Sequence, residues 1–149
     1  MIPPFDEHGL LPPGEWPCTL ADIEDRLCWN PHRSQMLTGL RQFLATEWRY
    51  PGKIYVDGSF VRSKPLPADM DVVIDLTDEA ASATTALALA MLICLHRERL
   101  RRVYTVDIWV RHPQLPRDLV AFFQYLGTKA EAELRLPAKH PKGILRITL

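Results

Sequence analysis

The chain has no net charge to offer: across 149 residues, 18 Lys and Arg stand against 18 Asp and Glu. That balance excludes a broad basic face of the kind that grips duplex nucleic acid, and leaves only local basic clusters. Cysteine is scarce. Cys18, Cys28 and Cys94 are odd in number and widely spaced, matching neither a zinc nor a redox motif, and read as inert thiols in a reducing compartment. The N-terminus is Pro-rich and acidic rather than basic and apolar, so no secretory leader opens the chain and a cytoplasmic protein is expected. The longest apolar run, ALALAMLICL at 86–95, is too short to cross a bilayer. It reads instead as a helix buried against a sheet, and no membrane partner is expected. A Walker A sequence, a Rossmann glycine fingerprint and a Ser-His-Asp arrangement are all missing. Neither a repeat nor a linker divides the chain, and its length suits one domain over 1–149.

What is present concentrates at 58–75, GSFVRSKPLPADMDVVID. A β-type run, Lys53-Ile54-Tyr55-Val56, precedes it, and a second, Asp71-Val72-Val73-Ile74, closes it. Asp69 and Asp71 are two apart, so on a strand both carboxylates project from one face. Acids that close repel one another unless a cation sits between them. Mg²⁺ and similar hard cations take such oxygen ligands and then bind substrate phosphates. Gly58 has no Cβ and lets backbone approach a ligand. Ser59 would open a short helix whose N–H groups face a phosphate. The stretch reads as a metal–nucleotide site.

These residues resemble the nucleotidyltransferase superfamily, the DNA polymerase β-like fold. Its signature is a glycine-serine after a strand, about ten further residues, then two acids separated by one apolar residue. Gly58, Ser59, Asp69 and Asp71 fall on that pattern, and Arg62 matches an arginine three residues after the serine. Val106-Asp107-Ile108 resembles the family's third carboxylate on a later strand. The flanks Ile2-Pro3-Pro4-Phe5-Asp6, Tyr55-Val56-Asp57-Gly58-Ser59-Phe60 and Pro141-Lys142-Gly143-Ile144 look like a group of small bacterial nucleotidyltransferase-like proteins associated with toxin–antitoxin and defence loci. The resemblance implies Mg²⁺ or Mn²⁺ on Asp69, Asp71 and Asp107. It places the triphosphate of an NTP on Gly58 and Ser59, with Arg62 or Lys64 neutralising charge. The acceptor would be a protein side chain or an RNA end. A catalytically inactive member serving as an antitoxin or interaction module is the alternative, and a nucleotide sensor without turnover a third. The extra helical domain with which larger members hold their acceptor is missing, so a partner, such as a cognate toxin or antitoxin, would supply that surface.

The remaining chain supports an α/β fold with a small mixed sheet flanked by helices. Residues 1–17 form an extended Pro-rich arm packed by Ile2, Phe5, Leu10, Leu11 and Trp16. Thr19 caps a short helix with Leu20, Ile23 and Leu27 on its apolar stripe. Asn30-Pro31 starts a helix running to about Trp48, whose His32, Arg33 and Arg41 read as a solvated face. Strands are expected at 53–57, 70–76, 103–110 and 144–149, and helices at 78–101, 119–126 and 129–134. Thr77 or Asp78 would cap the helix at 78–101, and Asp75 reads as a strand-end carboxylate leading into that cap. The basic run 96–102 complements that helix's C-terminal dipole, with an electrostatic contact to RNA, nucleotide or an acidic partner as the functional alternative. Lys139, His140 and Lys142 stand within reach of phosphates, although basic tails are common without one.

Overall fold

The computed structural model describes residues 1–78 and 83–149. Five strands form one open mixed sheet: β1 (Gly14–Pro17), β2 (Lys53–Asp57), β3 (Met70–Asp75), β4 (Val106–Arg111) and β5 (Gly143–Thr148). Their order across the sheet is β1-β5-β2-β3-β4, with both outer pairs parallel and both inner pairs antiparallel. Among the described residues the helices are α1 (Leu20–Leu27), α2 (Pro31–Thr46), α3 (Thr84–Leu95), α4 (Arg97–Tyr104), α5 (Leu119–Phe123) and α6 (Thr128–Leu134). None of these is long and apolar enough to cross a membrane.

Strand alternation sorts the two faces of the sheet. Ile54, Val56, Val72, Ile74 and Ile108 point into the large core, where Ile23, Leu27, Leu37, Phe43 and Leu100 of α1, α2 and α4 meet them. Tyr55, Val73 and Trp109 point the other way, into a small cluster with Ile144 and with Val120 and Phe123 of α5. The aspartates of the sheet share this second face, where Asp57, Asp75 and Asp107 are buried and Asp71 is part-exposed.

Local signals explain the starts of the first two helices. Thr19 and Asp22 form a reciprocal capping box at α1, and the Asn30 side chain accepts from Arg33 N–H at α2 with Pro31 at the first position. The Pro-rich arm is anchored as expected by buried Ile2, Leu10 and Leu11, with Phe5 and Trp16 half-buried. Its last four residues are nevertheless β1, an edge strand on β5, where Pro17 is tolerated because an edge leaves some N–H positions unpaired.

Thr77 N–H and hydroxyl both bond to Asp75 Oδ1, at 2.9 and 2.6 Å; positions 79–82 of the helix expected to follow its cap lie outside the described residues, and among those described α3 spans Thr84–Leu95. Two expectations along 77–110 are corrected. The single helix is in fact two, broken at His96 (φ −100°, ψ 18°), where no Gly or Pro marks the bend. Beyond the break, α4 buries Leu100. Helix α4 then continues through Val103 and Tyr104 before Thr105 turns left-handed (φ 58°), so β4 begins at Val106 and not at Val103. At the other end of the chain, the helix expected to reach 126 stops at Phe123. Residues 124–126 instead face 140–142, Leu126 N–H bonding to His140 O and Lys142 N–H to Gln124 O.

Helix α3 is less buried than its composition suggests. Ala86, Ala90 and Ile93 are buried, but Met91 and Leu92 are half-exposed and Leu95 largely so. Ile93→Asp should therefore place an unpaired charge in the core and cost more than about 4 kcal/mol. Leu92→Asp on the same helix should change stability by within about 1 kcal/mol and raise solubility. Urea denaturation of both variants checks this, and equal damage from the two would contradict the placement of α3.

Candidate functional site: a row of aspartates beside a polar cleft

Asp57 of β2 is the register partner of Asp71 of β3, and Asp71 is that of Asp107 of β4. Residues in register on neighbouring strands point to the same side, so three carboxylates stand abreast on the sheet's second face. Like charges so placed demand compensation. At one end of the row the buried Lys142 ammonium, just before β5, bonds both oxygens of Asp57 and also the Phe123 carbonyl. At the other end Arg97, the first residue of α4, grips Asp107 with a two-pronged contact from Nε and Nη2. The same guanidinium lies over the Trp109 ring at 3.7 Å.

Asp71, in the middle, has no ion pair among the described residues. Its Oδ1 accepts from Trp109 Nε1 at 3.1 Å. Burial pushes its carboxyl up to about 7; the Trp109 hydrogen bond opposes that shift, and the charges of Asp57, Asp69 and Asp107 add to it. Asp69, two residues earlier and part-exposed, reaches only a loose contact with Arg101 of α4 at 4.0 Å. Within the basic run 96–102, Arg97 thus meets the sheet acid Asp107, Arg101 nears Asp69, and Arg99 pairs with Glu47 at the end of α2.

The turn after β2 fits closely around Asp71. Gly58 adopts φ 84°, and a Cβ there would lie 2.3 Å from Asp71 Oδ2, so glycine is required by the carboxylate itself. The helix expected at Ser59 is a single 3-10 turn, Ser59–Val61. The loop beyond it is held from below by α2. Arg33, expected on a solvated face, is fully buried: it donates to the carbonyls of Leu27 at 2.5 Å, Lys64 at 2.6 Å and Phe60, between the rings of Trp29 and Phe60. Burial lowers its pKa to about 10. Asn30 Nδ2 donates to Pro65 O at 2.9 Å, and the His32 ring bonds Pro67 O at 2.7 Å. Arg41 does stay on the surface, paired with Glu24.

A cleft of about 320 Å³ opens above this loop. Gly58, Ser59, Arg62, Lys64, Asp69 and Asp71, six of the seven residues singled out in the sequence, line it. The seventh, Asp107, stands in register beside Asp71 but outside that lining, its two oxygens taken by Arg97. Helix α6 forms the far wall with Lys129 and Glu133, and Glu133 bonds Arg62 at 2.9 Å and approaches Lys64 at 3.6 Å. Phe122 and Tyr125 form a half-exposed aromatic rim. Asp75 has the purely structural place expected of it, bonded to Thr77 and to Arg111. Lys139 and His140 do not line the cleft, whereas Lys142 does.

The acids do not all suit a divalent cation. No group of three His, Cys, Asp or Glu among the described residues is gathered to hold one. Asp107 is satisfied by Arg97, and Asp57 by Lys142. Asp71 and Asp69 both line the cleft, and a cation between them would offset the burial that raises the Asp71 carboxyl.

Fold and site together define a mixed α/β protein with a five-stranded open sheet and a polar, acid-bearing cleft at one end of it. The chain belongs to a family of unknown function, DUF6932, whose profile matches residues 3–148. No curated protein and no solved structure matches it.

Sequence reasoning missed Asp57, Arg97, Trp109 and Arg33. Asp57 stood in plain view before Gly58-Ser59, but only strand register shows it beside Asp71. The partnership of Arg97 with Asp107 depends on the bend at His96, which leaves no mark in the sequence.

The raised pKa of Asp71 sets a pH dependence. Between about pH 4 and about pH 7 an unfolded chain has lost this proton while the folded one keeps it, so stability falls as pH rises through that window. Asp71→Asn removes the effect. In metal-free buffer the variant should gain on wild type steadily from pH 4 to 7 and hold a constant lead above pH 8, as measured by thermal denaturation. Parallel curves for the two proteins would contradict the burial of an uncompensated Asp71.

Proposed function

We propose that the chain is a metal-dependent nucleotidyltransferase of the polymerase β-like kind, moving a nucleotide from an NTP to a protein side chain or an RNA end. The observation that carries this reading is the meeting, in one cleft, of the Gly58-Ser59 turn, the cations Arg62 and Lys64, and the acids Asp69 and Asp71. Lys64 and Lys129, on opposite walls, provide positive charge for the phosphates, while Arg62 is fixed by Glu133 and shapes the floor. The rings of Phe122 and Tyr125 offer a flat apolar rim to a base. Mg²⁺ or Mn²⁺ on Asp69 and Asp71 would supply charge for the triphosphate and activation of the attacking oxygen. The protein's own share is positioning: the loop pinned by Arg33 and the strand register fix turn and acids relative to one another.

A second reading is favoured by one feature. Asp107, the third acid of the proposed set, is fully engaged by Arg97, as suits a member that keeps the fold and serves as an antitoxin or interaction module in a toxin–antitoxin or defence system. The exposed Met91, Leu92 and Leu95 of α3 would then offer an apolar face to a partner.

Incubation with each α-labelled nucleoside triphosphate, Mg²⁺ and lysate separates the two. An active enzyme labels protein or RNA, and Asp69→Asn and Asp71→Asn each reduce labelling by at least about 100-fold. Lys64→Ala and Lys129→Ala should each weaken triphosphate binding by about tenfold, ~1.4 kcal/mol. Absence of both label and triphosphate binding would leave the interaction module standing.

A further inference from the structure

We infer that a second groove, on the other side of the aromatic rim, takes a single-stranded RNA end, so that RNA and not a protein side chain is the acceptor. The inference rests on the nucleotidyl-transfer reading of the cleft and names the acceptor that this reading leaves open.

The groove, of about 770 Å³, adjoins the cleft and shares Phe122, Tyr125 and Leu126 with it. A chain lying along the groove therefore reaches the cleft across two rings. Phe122 is 49% exposed and Tyr125 50%, and large rings left in water beside one another mark a contact surface. Their backbone is already fixed. Phe122 belongs to α5, and Tyr125 bridges to Pro141, flanked by the bonds from Lys142 N–H to Gln124 O and from Leu126 N–H to His140 O. The platform thus exists before any ligand arrives.

Charge decides what lies on it. The cations of the groove are Arg117 and Lys139, both exposed and neither in an ion pair among the described residues. The Arg117 guanidinium lies over the Phe122 ring, 5.1 Å from its centre, so charge and ring present one surface. The acid of the groove, Asp118, is engaged on both oxygens. Its Oδ1 accepts from Val120 and Ala121 N–H at the start of α5, and its Oδ2 pairs with Arg111 at 3.0 Å. Rings beside uncompensated cations suit a single strand, whose bases stack on the rings while its phosphates meet the cations. A duplex keeps its bases stacked inside and needs the broad basic face that a chain of zero net charge lacks. A protein acceptor would present one side chain at the cleft and would leave the groove's cations unmet. In the transfer, the terminal hydroxyl oxygen of the strand bonds to the α-phosphorus of the NTP as the bond from that phosphorus to its bridging oxygen breaks. Pyrophosphate leaves, and the hydroxyl proton passes to solvent.

Fluorescence anisotropy with a short labelled oligouridylate, on the full chain at low salt and without nucleotide, tests the groove apart from any activity. Wild type should bind the single strand and not its duplex with oligoadenylate. Phe122→Ala and Tyr125→Ala should each weaken binding by about tenfold, and Tyr125→Trp should preserve it. Arg117→Gln combined with Lys139→Gln should flatten the slope of log affinity against log salt by about 1.4, the share of two phosphates. All four positions are exposed, and circular dichroism confirms the fold of each variant. A folded wild type that binds triphosphate but not the RNA, or RNA binding untouched by both ring truncations, would overturn the inference and leave transfer to a protein acceptor standing. Binding of oligodeoxythymidylate in place of the RNA would overturn it too. RNA held by the rings where no triphosphate binds would support the groove and overturn the transfer reading.

Discussion

Three carboxylates standing abreast on adjacent strands constitute the constraint on which this structure depends. Strand register puts Asp57, Asp71 and Asp107 on one face, and nothing in a β-sheet can separate them. Each must be met by a cation, a proton or a hydrogen bond, and the fold supplies all three. Lys142 arrives from the segment before β5, Arg97 from the start of α4, and Trp109 from two residues beyond Asp107 on its own strand. The proton falls to Asp71, whose carboxyl burial pushes up to about 7. Such an arrangement is costly in a protein that does not use it, since apolar side chains of similar size would pack the same face without repulsion.

The loop between β2 and β3 carries the other half of the cleft, and it is held by means unlike those of a regular element. It contains two prolines and no helix beyond one 3-10 turn, so its carbonyls need partners from elsewhere. Arg33 answers three carbonyls with one guanidinium, two of them in this loop, and Asn30 and His32 answer two more of its carbonyls, all from the first residues of α2. The N-terminal arm closes the loop from the outside, where Ser63 N–H bonds to Gly9 O at 2.9 Å and Leu10 bridges to Arg62. Rigidity at Gly58–Lys64 therefore comes from α2 and the arm, not from the turn's own hydrogen bonds. A cleft floor held this way is pre-formed, so a ligand binding there would meet little ordering cost.

Much of this was legible in the residues. The capping box at Thr19, the Asn-Pro start at α2, the β2 run and the α6 boundaries follow from local chemistry that tertiary structure had no reason to override. Local signals failed where packing decides. The bend at His96 and the extension of α4 to Tyr104 carry no breaker residue, and β1 is too short and too rich in proline to show alternation. Side-chain chemistry was harder still. A buried arginine and a solvated one look alike in a helix, and Arg33 lies in the same helix as Arg41, which does stay on the surface. Asp69 and Asp71 share a cleft with the turn and Asp107 does not, and the identity of each acid's counter-charge depends on register and on helix direction, which no spacing rule encodes.

An anomalous difference map at the manganese edge, from crystals grown with Mn²⁺ and a non-hydrolysable nucleoside triphosphate, addresses the central claim most directly. The account predicts a protein-bound peak at Asp69 and Asp71, no peak at Asp107, and the triphosphate between the Gly58-Ser59 turn and Lys129. Manganese on Asp107 with Arg97 displaced, or a triphosphate seated away from the cleft, would contradict it.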